Sequence, residues 1–334
     1  MNTSPDLSTT YLGYSLSSPI IASCSPLTGR IDSLLELQSA NIGAVVLPSL
    51  FQEEVEAEEL AAADLMDTGD DFAEFASAPL PEIDLDDVGP NRHISLVRQA
   101  SEALSIPVFA SVNGTRPGDW AHYASLLADA GAQGVELNLF SVNADPQESS
   151  AEVEKRYLKI VEQVRAALEV PMAVKISQHI TGLSHFAARL VDAGADGIVM
   201  FNRFYGAHVD VDSLELTSSL KLSTADELSY PLRWIGILRS QLPTCDLAAT
   251  SGVHSGYDAL KALLVGANVA CSASALLMNG PSYAATMIDE IRQWMIDHEY
   301  ESVSQLRGSM SAANIDNPGE FERAQYMKVI TSMR

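Results

Sequence analysis

Positive charge is scarce in this sequence. Its 334 residues include 20 Lys and Arg against 44 Asp and Glu, a net charge of −24 at neutral pH. Nucleic acids and anionic lipid surfaces are held by clustered Lys and Arg, so neither is expected as a partner. Cysteine is scarcer still. Cys24, Cys245 and Cys271 are odd in number, widely spaced and without a Cys-x-x-Cys pair. Neither a disulfide framework nor a zinc site is implied, no bound metal is expected, and a reducing, cytoplasmic setting is expected. No apolar run is long enough to span a bilayer. The opening Met-Asn-Thr-Ser-Pro-Asp carries no Lys or Arg and does not read as a signal peptide. A Gly-x-Gly-x-x-Gly after the first apolar run is also missing, which weighs against a doubly wound dinucleotide fold.

What is present is a repeat of short apolar runs. They are Pro19–Ala22, Ala44–Leu47, Pro107–Ser111, Val135–Leu139, Met172–Ile176, Gly197–Phe201, Leu247–Thr250 and Val269–Ser274. Most are continuous in Val, Ile, Ala and Leu, the pattern of parallel strands buried on both faces. Helical periodicity lies between most of them, at Ile31–Ser39, Asp119–Ala130, Ala151–Leu168, Ser184–Ala193, Pro231–Leu242, Gly256–Val265 and Pro281–Asp297. A phrase recurs before strands: Ala40-Asn-Ile-Gly, Ala130-Gly-Ala-Gln-Gly, Ala193-Gly-Ala-Asp-Gly and Gly266-Ala-Asn. Gly at a helix end takes the left-handed conformation that stops it. Strand and helix in alternation, with eight strands, predict an α/β chain folded as one (β/α)8 TIM barrel over residues 1–334.

Two stretches interrupt the alternation. Residues Gln52–Val88, after the second strand, hold fourteen acidic residues and no Lys or Arg. They read as a solvated acidic insertion or subunit-contact arm within the barrel domain, because the carboxylates show no metal-ligand spacing. Tyr205–Ser229 reads as a long loop after the sixth strand, on the barrel face where loops shape a pocket. The segment Gly134–Pro146 stands out on that face. It begins as an apolar strand and opens into a loop where Asn138 and Asn143 bracket Ser141, a concentration of hydrogen-bonding groups that suits a site better than a core. His179, His208 and His254 fall on similar loops, and Trp120 and Trp294 fall on helical patterns as packing residues.

Taken in order, these motifs resemble the dihydroorotate dehydrogenase family of FMN-binding barrels. Leu7-Ser-Thr-Thr-Tyr-Leu-Gly13 looks like its opening hairpin, and Pro19-Ile-Ile-Ala-Ser23 is similar to its first-strand motif. Glu136-Leu-Asn-Leu-Phe-Ser-Val-Asn143 resembles its Asn-Leu-Ser-Cys/Ser-Pro-Asn segment. Ala173-Val-Lys-Ile176 and Gly197-Ile-Val-Met-Phe-Asn202 match strands bearing a flavin-contacting Lys and a substrate-binding Asn. Ser251-Gly-Val-His-Ser-Gly256 and Ala273-Ser-Ala-Leu resemble its two phosphate loops. The wording Asn202-Arg203-Phe204 and Phe321-Glu-Arg…Tyr326 is closest to a dihydroorotate dehydrogenase-like subgroup.

The resemblance implies FMN held by Ala22, Ser23, Ser49, Asn113, Asn138, Lys175, Asn202, Ser251, Gly252, Val253, Ala273 and Ser274. It implies Ser141 as proton acceptor, with Asn138, Asn143, Asn202 and Arg203 on a small-molecule substrate. Carboxamides suit that task because each offers donors and an acceptor. The activity implied is oxidation of dihydroorotate to orotate, a step of pyrimidine biosynthesis, with a soluble electron acceptor and a homodimer. The sequence departs from the family at four places: the asparagine-containing loop that contacts orotate in the family is not recognisable within Ala78–Asn91, and the other three are substitutions. Val46-Leu-Pro48-Ser49 stands where the family has Lys, Phe140 and Val142 flank Ser141, and Arg203 replaces a small hydroxyl residue. Two alternatives stay open: oxidation of another dihydropyrimidine or an enone on the same fold, and a catalytically silent flavin-binding paralogue.

Overall fold

The structure is a computed structural model that describes residues 4–51, 90–114, 120–203, 206–218, 221–323 and 330–332. The acidic stretch 52–88, Asp119, Phe204 and Tyr326 lie outside the described residues. In chain order the strands are β1 (Thr9–Tyr11), β2 (Tyr14–Leu16), β3 (Ile20–Ala22), β4 (Ala44–Phe51), β5 (Val108–Asn113) and β6 (Gly134–Leu139). They continue with β7 (Met172–Ile176), β8 (Gly197–Met200), β9 (Ala207–Asp210), β10 (Glu215–Ser218), β11 (Asp246–Ala249) and β12 (Val269–Ser272). Strands β3 to β8, β11 and β12 close into a barrel in which every described pairing is parallel. The predicted α/β architecture, an eight-stranded (β/α)8 barrel, is therefore the one observed.

The apolar runs form these strands because both of their faces are covered. Inward, Ile21, Ala44, Val46, Phe109, Ala173, Val199, Ala248, Val269 and Cys271 fill the barrel. Outward, residues such as Ile20, Val45, Val135, Val174 and Ile198 meet the helical layer. The β1–β2 hairpin plugs the barrel floor. Tyr11 enters edge-on against Phe109, with ring centroids 5.9 Å apart. The Leu12 amide donates to Asp246 Oδ2 at 2.7 Å, and Thr9 Oγ1 donates to the Asn268 carbonyl at 2.9 Å. With the floor stoppered by side chains, the cleft lined by the described residues lies at the C-terminal ends of the strands.

Four details differ from the sequence reading, each for a local reason. Strand β4 runs past the predicted Leu47 to Phe51, through a register shift between Val46 and Ser49. Pro48 sits in that irregularity, where its missing N–H costs no ladder bond. A helix at Pro90–Ala103 lies in the β4–β5 crossover. The stretch taken as a loop at 205–229 contains the β9–β10 hairpin, whose strands pair only with each other, so their apolar residues Val209 and Leu216 stay exposed and mimic loop composition. In the first of the recurring helix-end phrases, Asn41 takes the left-handed conformation at φ 61°, not Gly43. Gly43 is needed for space instead: a Cβ there would lie 2.1 Å from the Ser18 carbonyl.

Candidate active site

A cleft of about 270 Å³ occupies the open end of the barrel, lined by residues on or just after all eight barrel strands. Its floor is a hydrogen-bonded cluster rather than a greasy surface. Asn138, at the end of β6, donates through Nδ2 to Ser49 Oγ at 2.9 Å and to Ser111 Oγ at 3.0 Å. The two hydroxyls are 2.7 Å apart, and Cys24 Sγ reaches Ser49 at 3.4 Å. The cluster leaves the carbonyl oxygens of Asn113 and Asn138 buried with no partner. A buried acceptor without a donor is costly, and it marks a place built for a ligand's N–H groups.

One wall carries charge. Lys175 Nζ on β7 lies 3.1 Å from Glu136 Oε1 on the neighbouring β6, with both side chains almost fully buried. Burial by itself pulls the lysine down, but Glu136 and the nearby Cys24 and Cys271 outweigh it and hold its pKa above the ordinary value. Burial raises the Cys24 thiol, and it pushes Cys271 up to about 12. Neither thiol is an activated nucleophile, because thiolate formation is disfavoured. Further along the rim, Asn202 turns its amide into the strand ends, donating to the Lys175 carbonyl at 3.2 Å and to that of Leu139 at 3.4 Å. Arg203 follows it and pairs with Glu227 at 3.4 Å.

The opposite wall is made of small residues. After β11 the chain passes through Ser251 at φ 71° and Gly252 at φ 82°, and after β12 it passes Ala273 and Ser274. A Cβ on Gly252 would sit 2.3 Å from the Leu228 amide, so only glycine lets this turn approach so closely. Ser274 Oγ accepts from both the amide and the hydroxyl of Ser223, at 3.0 and 2.9 Å, which leaves its own proton to donate. His254 Nε2 meets the same Ser223 hydroxyl at 3.0 Å.

Of the residues singled out from sequence, Ser23, Ser49, Asn113, Asn138, Lys175, Asn202, Arg203, Ser251, Gly252, Val253, Ala273 and Ser274 all line this one cleft. Ala22 does not; it is fully buried within β3. Ser141 and Asn143 line a neighbouring cleft with Tyr157, Glu148 and His179. There Ser141 Oγ donates to Asn143 Oδ1 at 2.9 Å and lies 2.6 Å from the Tyr157 hydroxyl, while Arg156 donates to Asn143 at 2.7 Å. The residue of that loop that faces the main cleft is Phe140. Pro48 turns away from the cleft: it lies beside Gly29 and lines a small outer gap with His93 and Leu96. Ser49 takes the inward place. Ser223 and Phe201 also line the cleft and were not singled out. A serine in a long polar stretch carries no sequence signal of its own, and Phe201 reads as core. Among the described residues no group of His, Cys, Asp and Glu is placed to hold a metal ion, and no helix is long and apolar enough to cross a membrane.

A family model described as Dihydroorotate dehydrogenase matches residues 85–295. The chain is 25% identical over 224 residues to a protein named putative dihydroorotate dehydrogenase A (fumarate) from Aeropyrum pernix, covering 64% of this chain and 70% of that one. It is 25% identical over 254 residues to the catalytic subunit of dihydroorotate dehydrogenase B (NAD(+)) from Citrifermentans bemidjiense, covering 72% and 79%. The catalytic subunit of the same name from Endomicrobium trichonymphae is 23% identical over 310 residues, covering 92% and 98%.

Proposed function

The chain belongs to the dihydroorotate dehydrogenase family, and from that premise we propose that it is an FMN-dependent oxidoreductase that introduces a C=C bond into a dihydropyrimidine-type ring. Membership makes it an oxidoreductase; the cofactor, substrate and mechanism are the proposal. The observation that carries it is the pairing of two unpartnered buried carbonyls, Asn113 Oδ1 and Asn138 Oδ1, with a buried cation, Lys175, in one cleft. A flavin ring offers an N–H to such acceptors and gains negative charge on reduction beside such a cation, so the residues present fit the group. The small-residue turns at Ser251–Val253 and Ala273–Ser274 suit its phosphate, at the barrel positions where phosphate groups commonly bind. When bound, FMN supplies a two-electron hydride acceptor.

The chain's own part is positioning and proton handling. Asn138 and Asn202 orient the ring edge, and Arg203 stands at the rim. One ring carbon loses a proton and its neighbour a hydride, and the electron pair of the first C–H bond becomes the new double bond. We propose Ser141 as the proton acceptor. In the geometry described it is docked on Tyr157 and Asn143, so this role requires the loop that starts at Phe140 to turn Ser141 into the cleft as substrate enters. Catalytic hydrogen bonds often form only in the substrate complex. A soluble acceptor and a homodimer belong to the same reading. The NAD(+) subunits named among the relatives support an external electron acceptor rather than a membrane quinone.

The deciding test is the visible spectrum of the purified protein, followed by anaerobic addition of dihydroorotate or dihydrouracil. A bound flavin that bleaches with either ring supports the proposal. A protein that carries no flavin and takes none up from solution sinks it.

A further inference from the structure

Resting on the proposed function, we infer that the substrate ring is uncharged, and that the cleft discriminates against a ring bearing a carboxylate. The argument is one of charge. Among the described residues, two cations line the cleft, Lys175 and Arg203. Each already has a carboxylate. Glu136 holds Lys175 at 3.1 Å in a site that water barely reaches. Glu227 holds Arg203 at 3.4 Å.

Glu227 is not a loose counter-ion that a ligand would simply displace. Its other oxygen accepts the Thr224 amide at 2.9 Å, in a capping arrangement at the start of a short 3-10 turn. A substrate carboxylate reaching Arg203 would therefore come up beside an anchored carboxylate. It would exchange one ion pair for another and gain like-charge repulsion. Strand β4, which passes the cleft, offers the hydroxyl of Ser49 and turns Pro48 outward, so it adds no charge. Losing water from a carboxylate without a free cation to meet it is unfavourable.

The test uses the full-length flavin-loaded protein and two product-state probes, uracil and orotate, followed by flavin difference spectra and by calorimetry. Uracil is expected to bind at least about tenfold more tightly than orotate. A Glu227→Gln variant frees Arg203 and is expected to raise orotate affinity about tenfold while leaving uracil within about twofold. Orotate binding as tight as uracil in the parent protein overturns the inference, and so does binding of neither ring. Glu227→Gln without effect on orotate removes the charge argument. These results concern a protein that carries flavin. A protein without flavin fails at the earlier step and sinks the proposed function itself.

Discussion

Lys175 on β7 and Glu136 on β6 form an ion pair of 3.1 Å at the base of the cleft, with side-chain exposures of 11% and 4%. Their strands are hydrogen-bonded neighbours, offset so that Glu136 pairs in register with Ala173, two residues before Lys175. The lysine therefore reaches back along the barrel interior to meet it. Removing one partner strands the other charge. Lys175→Met is expected to destabilise the fold by about 3 to 5 kcal/mol, and Lys175→Met with Glu136→Gln by clearly less. Urea unfolding of the parent, the single and the double variants checks the sign of the coupling. A double-variant loss equal to the sum of the Lys175→Met and Glu136→Gln losses would show that the pair contributes no electrostatic coupling.

Alkaline pH is expected to weaken the fold. Burial raises Cys245 and Cys271 to about 12 from an ordinary 9.0. Above pH 9 the unfolded chain releases these protons while the folded one keeps them. The stability they contribute is complete below pH 9 and is lost as pH rises towards 12. The slope is about 1.4 kcal/mol per pH unit for each thiol. Lys175, also raised, acts in the same direction above its ordinary value of 10.5. Denaturation midpoints from pH 8 to 11 for the parent and for Cys271→Ala give the measurement, with a shallower slope expected in the variant.

Gly252→Ala is expected to cost about 2 kcal/mol or more and to loosen the proposed cofactor. Its φ is 82°, and the added Cβ would lie 2.3 Å from the Leu228 amide. The turn would have to move, and it carries the Ser251–Val253 side of the cleft. Flavin retained through gel filtration is the readout. Full retention together with unchanged stability would show that the turn relaxes freely.

Ser141→Ala is expected to leave thermal stability and flavin content near those of the parent, since Ser141 lies in an open side cleft. Flavin reduction by substrate should slow by about 10² to 10⁴, the usual contribution of a positioned base. Stopped-flow reduction without oxygen decides this. A variant that reduces at the parent rate would remove Ser141 from the mechanism. Tyr157→Phe removes the hydroxyl that holds Ser141 at 2.6 Å, and a rise in reduction rate would identify the docked position as a resting state.

The two ends of the barrel separate stability from activity. Asp246 at the floor accepts from the Leu12 amide and from Asn268. Asp246→Ala leaves those donors without their acceptor, at a cost of about 1 to 3 kcal/mol. No change in flavin content or reduction rate is expected, because the plug and the cleft lie at opposite ends of the strands. A large loss of flavin in this variant would show that the floor and the cleft are coupled.

Much of the architecture was legible in the sequence, and the reasons are local. Met172–Ile176 is apolar except for one residue because both faces of a barrel strand are covered, and it is observed at those bounds. Ser149 and Glu152 form a capping box, which starts the long helix that follows β6 within one residue of the predicted position. Gly131, Gly194 and Gly266 have the positive φ that ends their helices. The hairpin β9–β10 was not legible. Its short strands carry Asp, Ser and exposed Val, and only their mutual pairing distinguishes them from a loop. The site was legible by residue type and not by direction. Asn138 and Ser141 are three positions apart in one motif, yet Asn138 ends a strand that points into the cleft and Ser141 lies on a loop that carries it into the next one.

By itself the sequence determined the barrel, because period and burial are properties of neighbouring residues along the chain. It also determined which residue types gather at the strand ends. Tertiary structure alone decided which charges meet. Lys175 is separated from Glu136 by 39 positions and Arg203 from Glu227 by 24, and no local pattern couples them. Tertiary structure likewise turned Pro48 outward and Ser49 inward, because the register shift in β4 follows from its pairing with β5. The physical reason is the same in each case: interaction energy depends on distance in space, and the closed barrel sets those distances.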